Sequence, residues 1–357
     1  MASSFSKINT ILLPKQKNLY IWAFFFKVFK LLISVFITLI GLITITFFIG
    51  RLLPLDPVIA ILGDNISQES YDKMFYKLGL DQPLIIQYWT YLQHIFLFDF
   101  GDALVSGRPI LTDIMHVFPP TLELATVAII IGTSFGIPFG VIAAMYRNSA
   151  IDYFLRFFTL FIYSTPTFWL GLIALLVFYN KLDWIGGPGR IDFIYEYSFE
   201  AKTGFFLLDT AMQGKWEAFG NAFSHIIMPA LILAFGAMAY ISRMTRGFMI
   251  EQLNQEYIVT ARVKGLSWRQ TVWRHAFRNA AVQIITIVGL SYAFLLEGAV
   301  LTETVFAWPG FGRYLTNALL AGDMNAVVAC TLLIGCFFIV INLFSDLLYR
   351  IFDPRTR

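Results

Sequence analysis

"LLISVFITLIGLITITFFIG", Leu31 to Gly50, is twenty residues long and holds no charged side chain. A helix rises about 1.5 Å per residue, so such a run crosses the ~30 Å hydrocarbon core of a bilayer with its backbone polar groups bonded internally. It is too long for a secretory-signal core and no small-x-small cleavage site follows it, so it is read as a retained anchor. Five more stretches approach or reach this length: Ala125–Met145, Phe157–Tyr179, Ile226–Ile241, Val282–Leu301 and Ala326–Leu348. Ile226–Ile241 is the shortest, with Pro229 in its expected first turn, where a missing amide costs little. Composition agrees, since 357 residues at 58% hydrophobic and 14% charged lie outside the range of soluble domains. The expected fold class is all-α, a polytopic membrane protein with about six transmembrane helices.

Loop charge orients these spans, because Lys and Arg collect on the cytoplasmic side of short loops. The N-terminal segment carries Lys7, Lys15, Lys17, Lys27 and Lys30 without an acid and reads as cytoplasmic. The next loop is dominated by Asp56, Asp64, Glu69, Asp72, Asp81, Asp99, Asp102 and Asp113 and reads as external. Arg147 and Arg156 return the chain inside, the acid-leaning stretch 180–224 is outside, and Arg243, Arg246, Arg262, Lys264, Arg269, Arg274 and Arg278 mark another cytoplasmic loop. A tail with Arg350, Arg355 and Arg357 is inside too. The expected organisation is a cytoplasmic segment 1–30, a first span 31–50, an external loop 51–120, a five-span core 121–348 containing an external loop 180–224 and a cytoplasmic loop 243–281, and a cytoplasmic tail 349–357. Both termini are expected in the cytoplasm. The net charge of +3 is too small to argue for nucleic acid, and Cys330 and Cys336 share one apolar run six residues apart, which does not suit a mutual disulfide.

The cytoplasmic loop holds "EYIVTARVKGLSWRQTVWRHAFRNA", Glu256 to Ala280. Arg262 and Lys264 suit the negative end of a helix, Gly265 suits the left-handed position after it, and Ser267 with Gln270 forms a capping box that starts a second helix. On a wheel, Trp268, Val272, Trp273, Ala276, Phe277 and Ala280 take one half, and Gln270, Thr271, Arg274, His275 and Arg278 the other, with Arg269 the one charge on the apolar half. Such a hairpin either lies against anionic lipid or docks a cytoplasmic partner.

The same segment resembles the cytoplasmic loop of the permease subunits of ABC importers in the dipeptide, oligopeptide and nickel permease family, whose loose E-A-A-x-x-x-G pattern marks a coupling helix. Ala261 and Gly265 match that pattern, Thr260 takes its middle position and Val259 its Glu position, while Gln283 stands where a proline is usual. In the same order along the chain, "LLPLDPV", "LGLDQPLIIQYWTYL", "FDFGDALVSGRPI", "PPTLELA", "GIPFGVIAA", "TGFFLLDTAMQGKWEAF", "HIIMPALIL", "LTETVFAWPGFGRYLTNAL" and "DLLYRIFDPR" resemble the family too, from about Leu32 to Arg355.

The resemblance implies a type I ABC importer permease fold in a plasma (inner) membrane, and a subunit that imports di- or oligopeptides by alternating access. It implies a second homologous permease subunit in a heterodimer, two ATP-binding subunits, an external substrate-binding protein and surrounding membrane lipid as partners. ATP and Mg would be used by those partner subunits, and no cofactor is expected on this chain, which is not an enzyme. Thr260, Ala261, Gly265, Leu266, Ser267 and Arg269 are the implied ATPase-docking residues. Nickel or glutathione import by the same family is the alternative, and "TGFFLLDTAMQGKWEAF" resembles the peptide branch most. From other classes, an ion-driven secondary transporter would be expected to show inverted repeats and paired intramembrane charges, and a non-transporting sensor or assembly factor remains open.

No G-x-x-x-x-G-K-[ST] occurs, so ATP must be hydrolysed elsewhere, and His94, His116, His225 and His275 are too scattered for a metal site. In "YSTPTFWLG", Ser164, Thr165 and Thr167 surround Pro166 within the expected third span. Their hydroxyls either satisfy carbonyls freed by the proline or line a wetted translocation pathway. Glu297, inside the fifth span, is a second pathway candidate, because an ionisable group there is costly; a small residue is usual at this position in the family. Glu303 begins "ETVFAWPGFG", whose Pro309, Gly310 and Gly312 break a helix and suggest a re-entrant or tight external turn. The external loops of about 70 and 45 residues are long enough to be functional, and "QPLIIQYWTYLQHIFLF" reads as an aromatic-rich helix. The resemblance implies that this surface receives the binding protein; alternatively it caps the outer mouth.

Overall fold

A computed structural model describes residues 14–52, 57–63 and 66–352; Lys7, Asp56, Asp64, Arg355 and Arg357, used above for loop charge, lie outside them. The chain divides into two units, residues 1–54 and 55–357. The first holds α1, Pro14–Leu52, whose stretch Ile33–Gly50 is long and apolar enough to cross a membrane. Its threonines are accommodated by bonding back one turn: the hydroxyls of Thr38, Thr44 and Thr46 donate to the carbonyls of Ser34, Ile40 and Leu42 at 2.9, 2.7 and 2.8 Å.

The second unit runs α2 (Pro57–Leu62), α3 (Gln68–Lys77), α4 (Leu84–Phe96), α5 (Ile110–Met145), α6 (Ala150–Ser164), α7 (Thr167–Ala174), α8 (Phe193–Glu196), α9 (Phe206–Met212), α10 (Trp216–Leu253), α11 (Glu256–Val263), α12 (Trp268–Val305), α13 (Phe311–Leu320) and α14 (Met324–Phe352). Among the described residues the only strand-like pairing is one bridge, Asp102 to Pro109. The protein is therefore all-α, with α1, α5, α10, α12 and α14 each able to cross a membrane.

The expected third span is broken. α6 and α7, which continues as a π-helical stretch Leu175–Lys181, meet at 89°. Pro166 has no amide to donate and its ring pushes the preceding residue out of the helical region; Thr165 accordingly sits at φ −83°, ψ 129°. The expected shortest span becomes the 38-residue α10, so Pro229 lies well inside a helix rather than in its first turn. A proline is tolerated there because packed neighbours hold the helix on both sides of the missing bond. α5 likewise starts at Ile110 instead of Ala125 and carries Pro119, Pro120 and Pro138 internally.

Lipid is as apolar as leucine, so helices in a membrane associate through close packing, which favours small residues at their contacts. α5 follows this rule with Gly132, Gly136 and Gly140 at four-residue spacing against α10. A Cβ on Gly136 would stand 3.0 Å from the Met238 carbonyl, and one on Gly140 would stand 2.6 Å from both the Ser242 carbonyl and Thr245 Cβ. Around this seam Leu124, Ala128, Ala230, Ala234, Ala237, Ile241, Ile287 and Ala299 form the main core. Gly140→Ala is expected to cost about 1–3 kcal/mol by overpacking, whereas Gly236→Ala, with nothing within 4 Å, serves as control. Equal melting temperatures for the two purified variants would count against this packing.

α6 is tied to α10 by a buried charge. Arg246 donates through Nε and Nη2 to both oxygens of Asp152, at 2.8 and 2.7 Å, and the Asn148 amide adds a third bond at 3.0 Å. Ser149 caps the same helix start. Outward from these contacts α6 presents Tyr153, Phe154, Phe157, Leu160, Phe161 and Tyr163, an aromatic surface suited to lipid rather than water.

Candidate functional site

Two places combine special backbone, close packing and placed polar groups. They stand at opposite ends of α12, the helix that links them.

At the N-terminal end, α11 finishes at Val263, Gly265 turns the chain with φ +87°, and Ser267 starts α12. The capping box is complete: Ser267 Oγ accepts from the Gln270 amide and the Ser267 amide donates to Gln270 Oε1 at 3.1 Å. Gly265 is needed for its left-handed backbone, not for space, since no atom lies within 4 Å of where a Cβ would stand. The second short helix expected from the sequence is instead the start of α12, where Trp268–Gln270 runs through a π-helical stretch, Thr271–Ala276, into the span.

Burial also departs from the wheel. Thr271, Val272, Ala276 and Ala280 face inward, with Thr271 donating to the Ser267 carbonyl at 3.0 Å, while Trp268 and Trp273 point outward. Val272, Ala276 and Ala280 thus keep the expected apolar half, and the departure is that polar Thr271 is covered in place of Trp268 and Trp273. Of the expected docking residues, Thr260, Gly265, Ser267 and Arg269 are exposed and Leu266 is half-buried. Ala261 is buried and lets α11 sit close to the core, so its side chain is not available for docking. Val259 and Val263, not selected from the sequence, give α11 an outward apolar pair; their four-residue spacing was the legible signal.

At the other end the turn 306–310 closes over a buried carboxylate. Glu303, 0% exposed, accepts from the Thr121 hydroxyl at 2.5 Å and from the Arg313 amide at 3.0 Å. The Thr121 oxygen in turn accepts the Phe311 amide at 2.7 Å. The Glu303 side chain thus caps the N-terminus of α13, where helix amides lack partners within the helix. Gly310 and Gly312 make room for it: a Cβ on Gly310 would lie 2.6 Å from Glu303 Oε2, and one on Gly312 would lie 2.7 Å from Val300 Cα. Trp308 packs beneath, fully buried, its indole donating to the Pro120 carbonyl at 3.0 Å, and Pro309 remains exposed.

One turn along α5 lies a second buried carboxylate. Glu123 pairs with Arg190 from the 180–224 loop and accepts the Leu207 amide at 2.8 Å. Arg190 also donates to the Gly204 carbonyl at 2.8 Å and lies 3.7 Å over the Phe206 ring. Burial pushes the Arg190 guanidinium below its ordinary value, and the Glu123 and Asp209 carboxylates oppose that shift. Residues 120–123 of α5 therefore gather the α12–α13 turn and the 180–224 loop on one short segment. Sequence reading selected Glu303, Pro309, Gly310 and Gly312 but not Thr121, Arg190, Trp308 or Arg313, because these partners lie 10 to 190 residues apart along the chain.

The expected pathway residues do not form one cluster of contacts. The hydroxyls of Ser164 and Thr165 both donate to the Phe161 carbonyl at 2.9 Å, repairing the helix end at Pro166. Pro166 is exposed and Thr167 half-buried at the start of α7. Glu297 is exposed on α12, beside the equally exposed Gly298.

Residues 136–357 match the family described as binding-protein-dependent transport system inner membrane component, and residues 24–125 match its N-terminal counterpart. The chain is similar to the probable D,D-dipeptide transport system permease protein DdpB of Escherichia coli, 41% identical over 88% of this chain and 92% of that relative. It is similar to the di/tripeptide transport system permease protein DppB of Pseudomonas aeruginosa, 39% identical over 90% and 95% of the two chains. A solved structure titled as inward facing conformations of the MetNI methionine ABC transporter aligns at TM-score 0.47 and 16% identity, over 66% of this chain and 93% of that one.

Proposed function

The chain belongs to the family of binding-protein-dependent transport system inner membrane components, and from that premise we propose that it is one of two permease subunits of an ATP-driven importer of di- or oligopeptides. Relatives named for peptide transport, at 39–41% identity over nearly the whole chain, support the substrate class. The observation that carries the mechanism is α12 itself: a single helix from the Ser267 cap to the Glu303 latch.

In this reading a homologous permease, two ATP-binding subunits and an external binding protein complete the assembly. Both termini and the α11–α12 turn lie in the cytoplasm, as the loop charges indicate. The ATP-binding subunits dock on Thr260, Gly265, Leu266, Ser267 and Arg269, with Val259 and Val263 adding apolar contact. When ATP draws those subunits together, the turn moves with them. α12 has 38 residues and is therefore about 57 Å long, so displacement at its cap reaches the turn at Glu303 without any intervening loop. The π stretch at Thr271–Ala276 is where the rod can flex. Hydrolysis reverses the movement. Ser164, Thr165, Pro166, Thr167 and Glu297 are the proposed contacts of the passing substrate.

Four measurements test this. Purification from the native membrane should bring down ATP-binding subunits, and uptake should fail on ATP depletion but survive an ionophore; the opposite pattern favours a secondary transporter. Gly265→Ala keeps the chain's packing yet strains a left-handed backbone by about 1–2 kcal/mol. It should lower uptake several-fold at unchanged permease abundance, and intact uptake would remove the turn from coupling. Competition between labelled dipeptide and nickel in a strain lacking the chain decides the substrate; nickel uptake alone would replace the peptide reading.

A further inference from the structure

We propose that the buried Asp152–Arg246 pair carries movement of the α11–α12 turn into α6 and on to the break at Pro166. Both would then be positioning residues for transport, a role that rests on the coupling proposed for that turn. The reason lies in what α6 buries. Of its 15 residues only Asp152 and Thr159 are buried, and both are polar. The Thr159 hydroxyl donates to the Leu155 carbonyl at 2.8 Å, inside its own helix. Leu155 and Ile162 are half-buried, and Phe158 meets Phe139 of α5 edge-on while staying 37% exposed. Within this chain α6 is therefore attached less by apolar packing than by one bidentate ion pair, whose two bonds fix direction as well as distance.

The other partner stands on a rigid block. Thr245, next to Arg246, packs against Gly140 of α5. Met249, about one turn further along α10, is buried in a cluster with Val141 and Ala144 of α5, Ile258 of α11 and Val272 and Ala276 of α12. Arg246 thus projects from the block on which the α11–α12 turn rests.

The far end of α6 is built to bend. Thr165 leaves the helical region, Pro166 has no amide to donate, and α7 departs at 89°. α6 is about 22 Å long, pinned near its first turn and hinged after its last. A close-packed block transmits displacement rather than absorbing it. A buried carboxylate stays with its counter-ion, because parting would leave it uncompensated. A shift of the Arg246 block therefore turns α6 about the break, where Ser164 and Thr165 stand.

Asp152→Ala with Arg246→Ala removes the pair without leaving a buried charge, and Thr159→Ala serves as comparison. On a Cys336→Ser background, in which remaining Cys330 is buried, spin labels at Leu160→Cys of α6 and Gly247→Cys of α10 report the distance between the helices in the purified transporter. Both positions are exposed. In the double variant that distance should shift or broaden by several ångströms, while labels at Ile130→Cys of α5 and Gly247→Cys should hold theirs. In proteoliposomes with the partner subunits and the binding protein, dipeptide uptake per ATP hydrolysed should fall several-fold while hydrolysis continues. Thr159→Ala should change neither reading. Asp152→Asn, which keeps the shape and loses the charge, replaces the double variant if that one fails to assemble. An unchanged α6–α10 distance overturns the pin. An unchanged ratio, or uptake and hydrolysis lost together, overturns the route. Wild-type uptake that needs no ATP would overturn the proposed function and the route with it, and the distance would still decide whether the pair holds α6.

Discussion

Gly310→Ala is expected to destabilise the protein by about 3 kcal/mol, and about 2 kcal/mol of that loss should vanish when Glu303 has already been replaced by alanine. Gly310 has φ −102° and ψ 179°, a conformation open to any residue, so the cost is not backbone strain. It arises because the new Cβ would occupy the space of the Glu303 carboxylate. That side chain cannot swing away without abandoning Thr121 and the Arg313 amide inside a site closed to solvent. A double-mutant cycle on melting temperatures of the purified protein reads the coupling directly. Additive losses would mean that Gly310 and Glu303 do not share the site. Uptake by the single variants should fall with the latch, since the turn closes the far end of α12.

Arg190→Met is the second large effect, at about 3–5 kcal/mol. The loss comes from Glu123, which stays buried without its counter-ion, more than from the ion pair itself. Replacing both, as Arg190→Met with Glu123→Leu, should therefore recover much of the stability, because a pair of buried charges gives little net gain over well-packed apolar groups. Lys202→Met provides the comparison: its partner Glu200 is exposed, and surface pairs of that kind contribute about 1 kcal/mol or less. If Arg190→Met and Lys202→Met melt alike, Arg190 does not hold the 180–224 loop to α5.

Much of the fold was legible because a bilayer imposes a coarse rule. About twenty consecutive apolar residues must bond their backbone internally in hydrocarbon, and so form a helix without reference to packing. Ser267 and Gln270 were legible for a related reason: a capping box is satisfied within four residues. Pro229 and Pro166 mark the limit of such reading. Each removes one amide, yet α10 continues through Pro229 while the chain bends by 89° at Pro166. The difference is support. Pro229 is buried among neighbouring helices, whereas Pro166 is exposed and Thr165 is free to leave the helical region.

The outward turn of Trp268 and Trp273 was hidden because hydropathy does not say which apolar side chains of a helix end the rest of the chain covers. Glu303 was recognised as unusual, but the sequence offered it only as part of a turn. Its partner Thr121 is 182 residues away, and only the tertiary structure brings them to 2.5 Å. By itself the sequence determined the membrane class, the helices and the local caps, all of which follow from hydropathy and bonds a few residues long. The tertiary structure decided which prolines bend the chain, which face of each helix is covered and which buried charges are paired, because these depend on desolvation by groups that are remote in sequence and adjacent in space.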